Sequence, residues 1–456
     1  MANQAWDFKT ASHLLRRAGF AGHISEIEAL VKRGKEASVD FLLNYETLRN
    51  RNMDATLYSL FGDGQILQLN QPLLQLWFFY RMVLTRRPVE ERMTLFWHNH
   101  FATSMSKVPT AYMYSQNLIL REHALGKFDD LILAVSKHPA MVIWLDLNTS
   151  VRGAPNENFA RELMELFTCG PKDVVTGTPN YTETDVQEGA RAFTGWTVVN
   201  GEFAFVEEQH DFGVKDFRGQ TANFSGEDII SMMAADLSTA RFLSKKLFEY
   251  FVYPNPEPEL IEKYAALYLS SEHSIKAVLR SMFLSDEFYS DAAFGALVKS
   301  PAEYSAGLAR QVKASVRNQV EVVEQLARQG QNIMFPPNVS GWPTGIGWIN
   351  TTSMLERFNF ANSVLTNRRD SVELSINPSQ LLPDPKKVKT KSELVDYFVS
   401  WLVSVPVSDE VKAAFIDYLK TPDQPGNKLV LDSQTIDEKV RGLLRLICNL
   451  PEYQLS

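Results

Sequence analysis

The sequence predicts a mainly α-helical protein: a large multi-helix array with a small β-hairpin insertion near 196–206 and a C-terminal helical cap. Three observations predict it. Apolar residues recur at helical spacing over most of the 456 residues, as in His13, Leu14, Leu15 and Ala18, then Ile24, Ile27, Leu30 and Val31. Helix start and stop signals punctuate that pattern, including Thr182 with Asp185 and Ser225 with Asp228 as capping boxes and Gly170-Pro171 as a stop. The period switches to alternation on either side of Asn200-Gly201, the strongest short hairpin signal available.

Taken in order, residues 10–50 read as two or three amphipathic helices. A turn at 61–64 leads to a core helix over 72–85, rich in Leu and carrying Trp77, Phe78 and Phe79. Pro88 opens a helix that ends in His98-Asn99-His100-Phe101, and helices over 115–125 and 128–137 follow until His138-Pro139 breaks the pattern. Two short polar helices occupy 156–195, the first N-capped by Asn156. After the hairpin comes a Gly- and Asp-rich loop at 210–219, expected to be irregular, and long irregular loops in helical proteins are often functional. Helices are then expected over 238–252, 258–270, 274–288, 301–315 and 353–367, with an aromatic, Pro- and Gly-rich loop at 335–348. Three more begin near Lys391, Ser408 and Thr435. The resulting division is a main helical domain at 1–367, a polar linker at 368–390 and a helical cap at 391–456.

A net charge of −8 argues against a general nucleic-acid binder, which needs a basic surface. The doublets Arg16-Arg17 and Lys245-Lys246 lie in amphipathic segments and read as solvated helix faces. Only two cysteines are present, so neither a disulfide framework nor a thiolate cluster is indicated, and Cys169 reads as packing. The first ten residues lack the features of a secretory signal, so the chain as given is expected in the cytoplasm, with export holding if a leader was removed. No apolar run approaches the length of a membrane span.

The stretch 156–196 concentrates the polar residues. Glu157, Arg161 and Glu165 form one i,i+4 row, with Asn158 and Glu162 beside it, and the second helix contributes Glu183, Asp185, Glu188 and Arg191. Exposed, such a row contributes about 0.3–0.5 kcal/mol per pair; buried, it is either a rigid clamp or an active site. His98 and His100 lie about 200° apart on an ideal helix and share a metal only where the helix ends. By themselves they read as core or hydrogen-bonding histidines. A third ligand would be His210, or a carboxylate such as Asp146, Asp211, Glu157 or Glu162. His210 beside Asp211 also suits acid/base work.

These motifs carry a resemblance. ERMTLFWHNHF at 91–101, HPAM at 138–141, PNENFARELMELFTCG with YTETDVQEGARAFTGWT, HDFGVK at 210–215, and KSPAEY followed by PPNVSGWP are similar to the bacterial family named domain of unknown function 1800, as are HLLRRAGF at 13–20 and LPEYQ at the end. The resemblance implies members that are often exported. It also implies a companion family, domain of unknown function 1501, resembling alkaline phosphatases and sulfatases.

The leading expectation is an enzyme, with hydrolase the least committal class. Its pocket would hold His98, His100 and His210 as metal ligands for a divalent ion or as acid/base groups, Glu157 and Glu162 as ligands or base, Arg161 as an anion clamp, and Asp211 beside His210. The first alternative is a non-catalytic structural or partner protein in which these groups form a buried network, acting with the sulfatase- or phosphatase-like companion. The second is a carbohydrate-binding module that uses Trp342 and Trp348 as stacking platforms.

Overall fold

In the computed structural model, helices make up 60% of the chain and the strands described form only three two-stranded antiparallel pairs, so helix packing builds the core. The structure describes residues 5–62, 70–317, 320–366, 374–384, 386–422, 424–433 and 435–456. Residues 1–4 of the opening, the second half of the turn expected at 61–64, and residues 368–373 and 385 of the expected linker lie outside the described residues.

Three helices are buried on nearly every face. Gln71–Leu84 is apolar almost all round, and such a helix must lie inside. Pro88–His100 and Pro301–Gln311 are buried despite their Glu and Arg residues. An unpaired charge there would cost several kcal/mol, and the charges are paired. Glu91, fully buried, accepts from Arg81 at 2.8 Å and Arg121 at 2.9 Å, while Glu303 takes Arg92. Burial pushes the Glu91 carboxyl up, but Arg121 and Arg81 outweigh it and hold the group below the ordinary carboxylate range.

The Arg16-Arg17 doublet, expected on a solvated face, is buried instead, at 4% and 0% exposure. The cause lies at helix ends. The last carbonyls of a helix have no intrahelical partner and carry the negative end of its dipole. Arg16 donates to Leu402 O at 3.0 Å and to Trp401 O, closing the helix Lys391–Leu402. Arg17 donates to Val252 O at 3.0 Å and Phe251 O at 3.4 Å, closing Leu237–Phe251. Arg310 spans Val83 O and Thr85 O, at 3.0 and 2.9 Å, at the end of Gln71–Leu84. Arg441 reaches Leu365 O at 3.1 Å in Thr351–Thr366, and Lys439 reaches Tyr418 O at 2.9 Å at the end of Asp409–Tyr418. Each of these C-termini is held by a cation from another element, so the caps also fix how the helices pack. Burial pulls Arg16 to about 10 and Arg17 to about 9, which leaves both charged at neutral pH.

Around the polar stretch, the Asn200-Gly201 hairpin forms with Trp196 opposite Phe205 and Val199 opposite Glu202. Asn200 and Gly201 both have positive φ, 51° and 88°, as a type I′ turn requires. Gly195 precedes it at φ +84°, where a Cβ would lie 2.6 Å from Val206 O. The loop at 210–219, expected to be irregular, is in its second half another hairpin: Lys215–Phe217 pairs with Gln220–Ala222. Strands of three residues are too short for alternation to stand out. The first polar helix also differs, being α-helical over Asn158–Glu162 and π-helical over Leu163–Phe167. Its N-cap is Glu157 rather than the expected Asn156, whose Oδ1 accepts from the Asn158 N–H at 3.0 Å.

Helices Arg51–Phe61 and Glu321–Arg328 form where none was expected; the first buries a narrow stripe of Met53, Leu57 and Phe61 on an otherwise polar segment. Near the C-terminus, Leu374–Ser375 pairs with Ser315–Val316, and helices start at Lys391, at Asp409 and, through a π-helical stretch, at Thr435. Among the described residues no helix is long and apolar enough to cross a membrane.

Candidate functional site

The second polar helix, Glu183–Ala192, starts at the expected capping box between Thr182 and Asp185. Asp185 also accepts the Arg218 N–H at 2.7 Å, which ties this helix to the second hairpin. Two arginine-centred networks flank it. Arg161 donates to Glu157 at 3.0 Å, as the i,i+4 row predicts, and crosses to Glu183 at 2.9 and 2.8 Å. Arg191 donates to Asp211 at 2.8 and 3.2 Å, to Glu188 at 2.7 Å and to Val214 O at 3.1 Å. The Arg191 hydrogen bond, with that of the Gly213 N–H, pulls Asp211 down to about 2. Glu162 is half-buried beside Arg161, and burial, then Glu165, raises its carboxyl.

The three histidines part company. His98 is buried edge-on to Trp342, with ring centroids 5.2 Å apart and Nε2 unpartnered, and burial lowers it to about 4. His100 has both nitrogens engaged: Nε2 faces Phe167 O at 3.0 Å and Nδ1 faces Lys246 Nζ at 2.9 Å. A carbonyl only accepts, so Nε2 carries the proton and Nδ1 offers its lone pair to the lysine. Burial, then Lys246, holds this ring well below the ordinary histidine range. His210 points Nδ1 at Thr194 O, 2.8 Å away, between the rings of Phe205 and Phe212. The expected ligand set of His98, His100 and His210 is not assembled, and among the described residues no three His, Cys, Asp or Glu side chains are placed to hold a metal ion. Asp146, another candidate ligand, is paired with Lys107 at 2.8 Å.

The HDFGVK loop is held from beneath. Lys215 is fully buried and donates to Asp211 O at 2.7 Å, Gly213 O at 3.0 Å and Asn223 Oδ1 at 3.2 Å. A Cβ on Gly213 would meet Arg191 Nη2 at 2.5 Å, so glycine is what lets the guanidinium reach Asp211. Held this way, the loop turns apolar side chains outward: Phe212 is 50% and Val214 62% exposed, next to Phe205 at 48%. Exposed Glu202, Glu207, Glu208 and Asp216 neighbour them in sequence.

The model of the family described as protein of unknown function (DUF1800) matches residues 13–455. The chain belongs to this family. No curated protein and no solved structure matches it. In this DUF1800 protein the helix-capping cations, the two arginine networks and the HDFGVK loop all fall within the matched span.

An open groove of about 450 Å³ lies elsewhere, lined by Tyr112, Ser115, Lys137, His138 and the hairpin residues Glu202 and Phe203. It holds a Ser-His pair, with Ser115 Oγ 3.0 Å from His138 Nε2. The pair is not a nucleophile and base. His138 Nδ1 accepts the Ala140 N–H at 3.1 Å as the N-cap of Pro139–Trp144, so Nε2 bears the proton and donates it to Ser115. Trp342 and Trp348, proposed as stacking platforms, are 4% and 6% exposed and offer no open ring face. Cys169 is buried, and burial pushes its thiol to about 12, away from nucleophilic use. Sequence reasoning missed Lys246, placed on a solvated face; only its approach to His100, 146 residues distant, distinguishes it.

Proposed function

We propose that this DUF1800 protein is a partner-binding protein whose docking face is the pair of hairpins carrying Phe205, Phe212 and Val214. Its partner would be the sulfatase- or alkaline-phosphatase-like companion that the family resemblance implies. One observation carries this reading: His210, Asp211 and Lys215 are all consumed in holding the HDFGVK loop, and the result of that hold is two apolar side chains turned into solvent. Apolar side chains fixed in that way mark interaction surfaces. The hydrolase reading draws less support, because Glu157, Arg161, Arg191 and Asp211 satisfy one another.

The test mixes the purified chain with the purified companion and measures affinity by biolayer interferometry. Phe212→Ser with Val214→Ser is expected to weaken binding by at least ~10-fold while circular dichroism stays unchanged. No complex at tens of micromolar, or a complex indifferent to both substitutions, overturns the proposal.

A further inference from the structure

We propose that the partner meets the docking face with an arginine, whose guanidinium is flanked by Phe205 and Phe212 and donates to Nε2 of His210. The inference rests on the docking reading above and names the chemistry of what docks. Its first support is a fixed lone pair. His210 holds the loop through Nδ1, which faces Thr194 O at 2.8 Å; a carbonyl only accepts, so Nδ1 carries the proton and Nε2 is an acceptor. Among the described residues nothing donates to Nε2. That nitrogen still opens to solvent, although the side chain as a whole is 4% exposed. Phe205 and Phe212 lie on either side of the ring, with centroids 5.1 and 4.6 Å away, so the acceptor stands in the middle of one aromatic patch. A partner that covers the patch seals Nε2, and a sealed acceptor is costly unless the partner brings a donor.

The second support is charge. Glu207 and Glu208 lie on the turn between Phe205 and His210, Glu202 begins the strand that Phe205 ends, and Asp216 follows Val214 on the next strand. All four are exposed, and none has an ion-pair partner among the described residues. The cations of the loop do not answer them. Arg191 is held by Asp211 and Glu188, and Lys215 is buried against backbone oxygens. Exposed Arg152, joined to Gln209 O through its backbone N–H at 2.7 Å, offsets one of the four charges at most. An apolar patch beside unanswered carboxylates fits a basic surface and repels an acidic one. Arginine suits its centre. The guanidinium is weakly hydrated and packs on aromatic rings, and its fork of N–H groups serves an imidazole lone pair and a carboxylate together. A lysine ammonium is strongly hydrated and belongs at the rim.

The test uses the intact chain and the purified companion in biolayer interferometry. Raising NaCl from about 50 to about 500 mM is expected to slow association by at least ~10-fold and to change dissociation far less. Glu207→Gln with Glu208→Gln flattens that salt dependence, and the complex still depends on Phe212 and Val214. Peptide mapping after phenylglyoxal treatment, which labels arginine, is expected to show a companion arginine that is protected only in the complex. The nitrogen-15 resonance of His210 Nε2 moves upfield on binding as the lone pair takes a donor. A complex that needs Phe212 and Val214 but ignores salt and the two glutamates, or that protects no companion arginine, overturns this inference and leaves the docking reading standing. An unmoved Nε2 resonance in such a complex removes His210 as the acceptor and overturns it too. No complex at all overturns both.

Discussion

Arg16 donates to the carbonyl oxygen of Leu402 at 3.0 Å, joining the first helix to the end of a helix 386 residues further along the chain. Arg17, beside it, does the same for the end of Leu237–Phe251. Two adjacent side chains therefore bring three parts of the chain to one place, and each does so through carbonyls that a helix cannot satisfy alone. Gln311 Nε2 also reaches Trp401 O and Leu402 O at 3.4 Å, so truncating Arg17, which serves Phe251 O, Val252 O and Ala293 O, removes more that nothing else replaces. Arg17→Ala is expected to destabilise by about 3 kcal/mol, read as a lowered urea midpoint. Arg17→Lys recovers less than half, because one ammonium cannot serve all three carbonyls, Phe251 O, Val252 O and Ala293 O, in the guanidinium's fixed geometry. A loss below ~1 kcal/mol on Arg17→Ala would show that water replaces the cap.

Acid should weaken the fold early. Burial lowers His23, His98 and His138 to about 4, and His13 and His100 lie well below the ordinary value of 6.5. Between pH 4 and 6.5 these rings stay neutral in the folded chain and become charged in the unfolded one. The unfolded state then binds more protons, and stability falls as pH falls, by about 1.4 kcal/mol per proton per pH unit. Urea midpoints are expected to be flat above pH 7 and to drop steadily from pH 6.5 to 5. Equal midpoints at pH 7.5 and 5 would contradict the buried neutral state.

The HDFGVK loop should respond to acid at a lower pH. Arg191 draws Asp211 from 3.8 to about 2, so the stability this pairing contributes is present above pH 3.8 and is lost as pH falls toward 2. Asp211→Asn is expected to mimic that loss at neutral pH. Amide exchange at Phe212 to Val214 should quicken by at least ~10-fold while the core amides are unchanged. Exchange that stays slow in the variant would assign the hold on the loop to Lys215 and His210.

Arg161 should matter little to stability. Its partners Glu157 and Glu183 are 39% and 70% exposed, and solvent screens such pairs. Arg161→Ala is expected to cost under ~1 kcal/mol in chemical denaturation. A larger loss would mean that the two polar helices depend on this bridge for their packing.

His98, His100 and His210 should not share a metal ion. His100 has both nitrogens engaged and His210 faces Thr194 O, away from any ligand set among the described residues. Elemental mass spectrometry on protein purified without a His tag checks this. Near-stoichiometric zinc, lost on His100→Ala in folded protein, would require a rearranged site.

Much of the secondary structure was legible because its signals are local. The helix Phe128–Lys137, the capping boxes at Thr182 and Ser225, and the Asn200-Gly201 turn each depend on residues within one or two turns of chain. The helix Arg51–Phe61 escaped notice because its buried stripe is only three residues wide. The hairpin at Lys215–Ala222 escaped because three-residue strands carry no clear period. In the polar stretch, the Glu157–Arg161 pair was predictable from i,i+4 geometry, whereas Glu183 as the second partner was not.

The sequence by itself determined the helical class, most helix starts, the first hairpin and the family. Those follow from backbone propensity and periodicity, which neighbouring residues set. Only the tertiary structure decided that Arg16 and Arg17 are buried caps, that His100 meets Lys246, and that Phe212 and Val214 face solvent. A buried polar group takes whichever partner the packed chain brings within hydrogen-bond reach, and that partner is 386 residues away for Arg16 and 146 for His100.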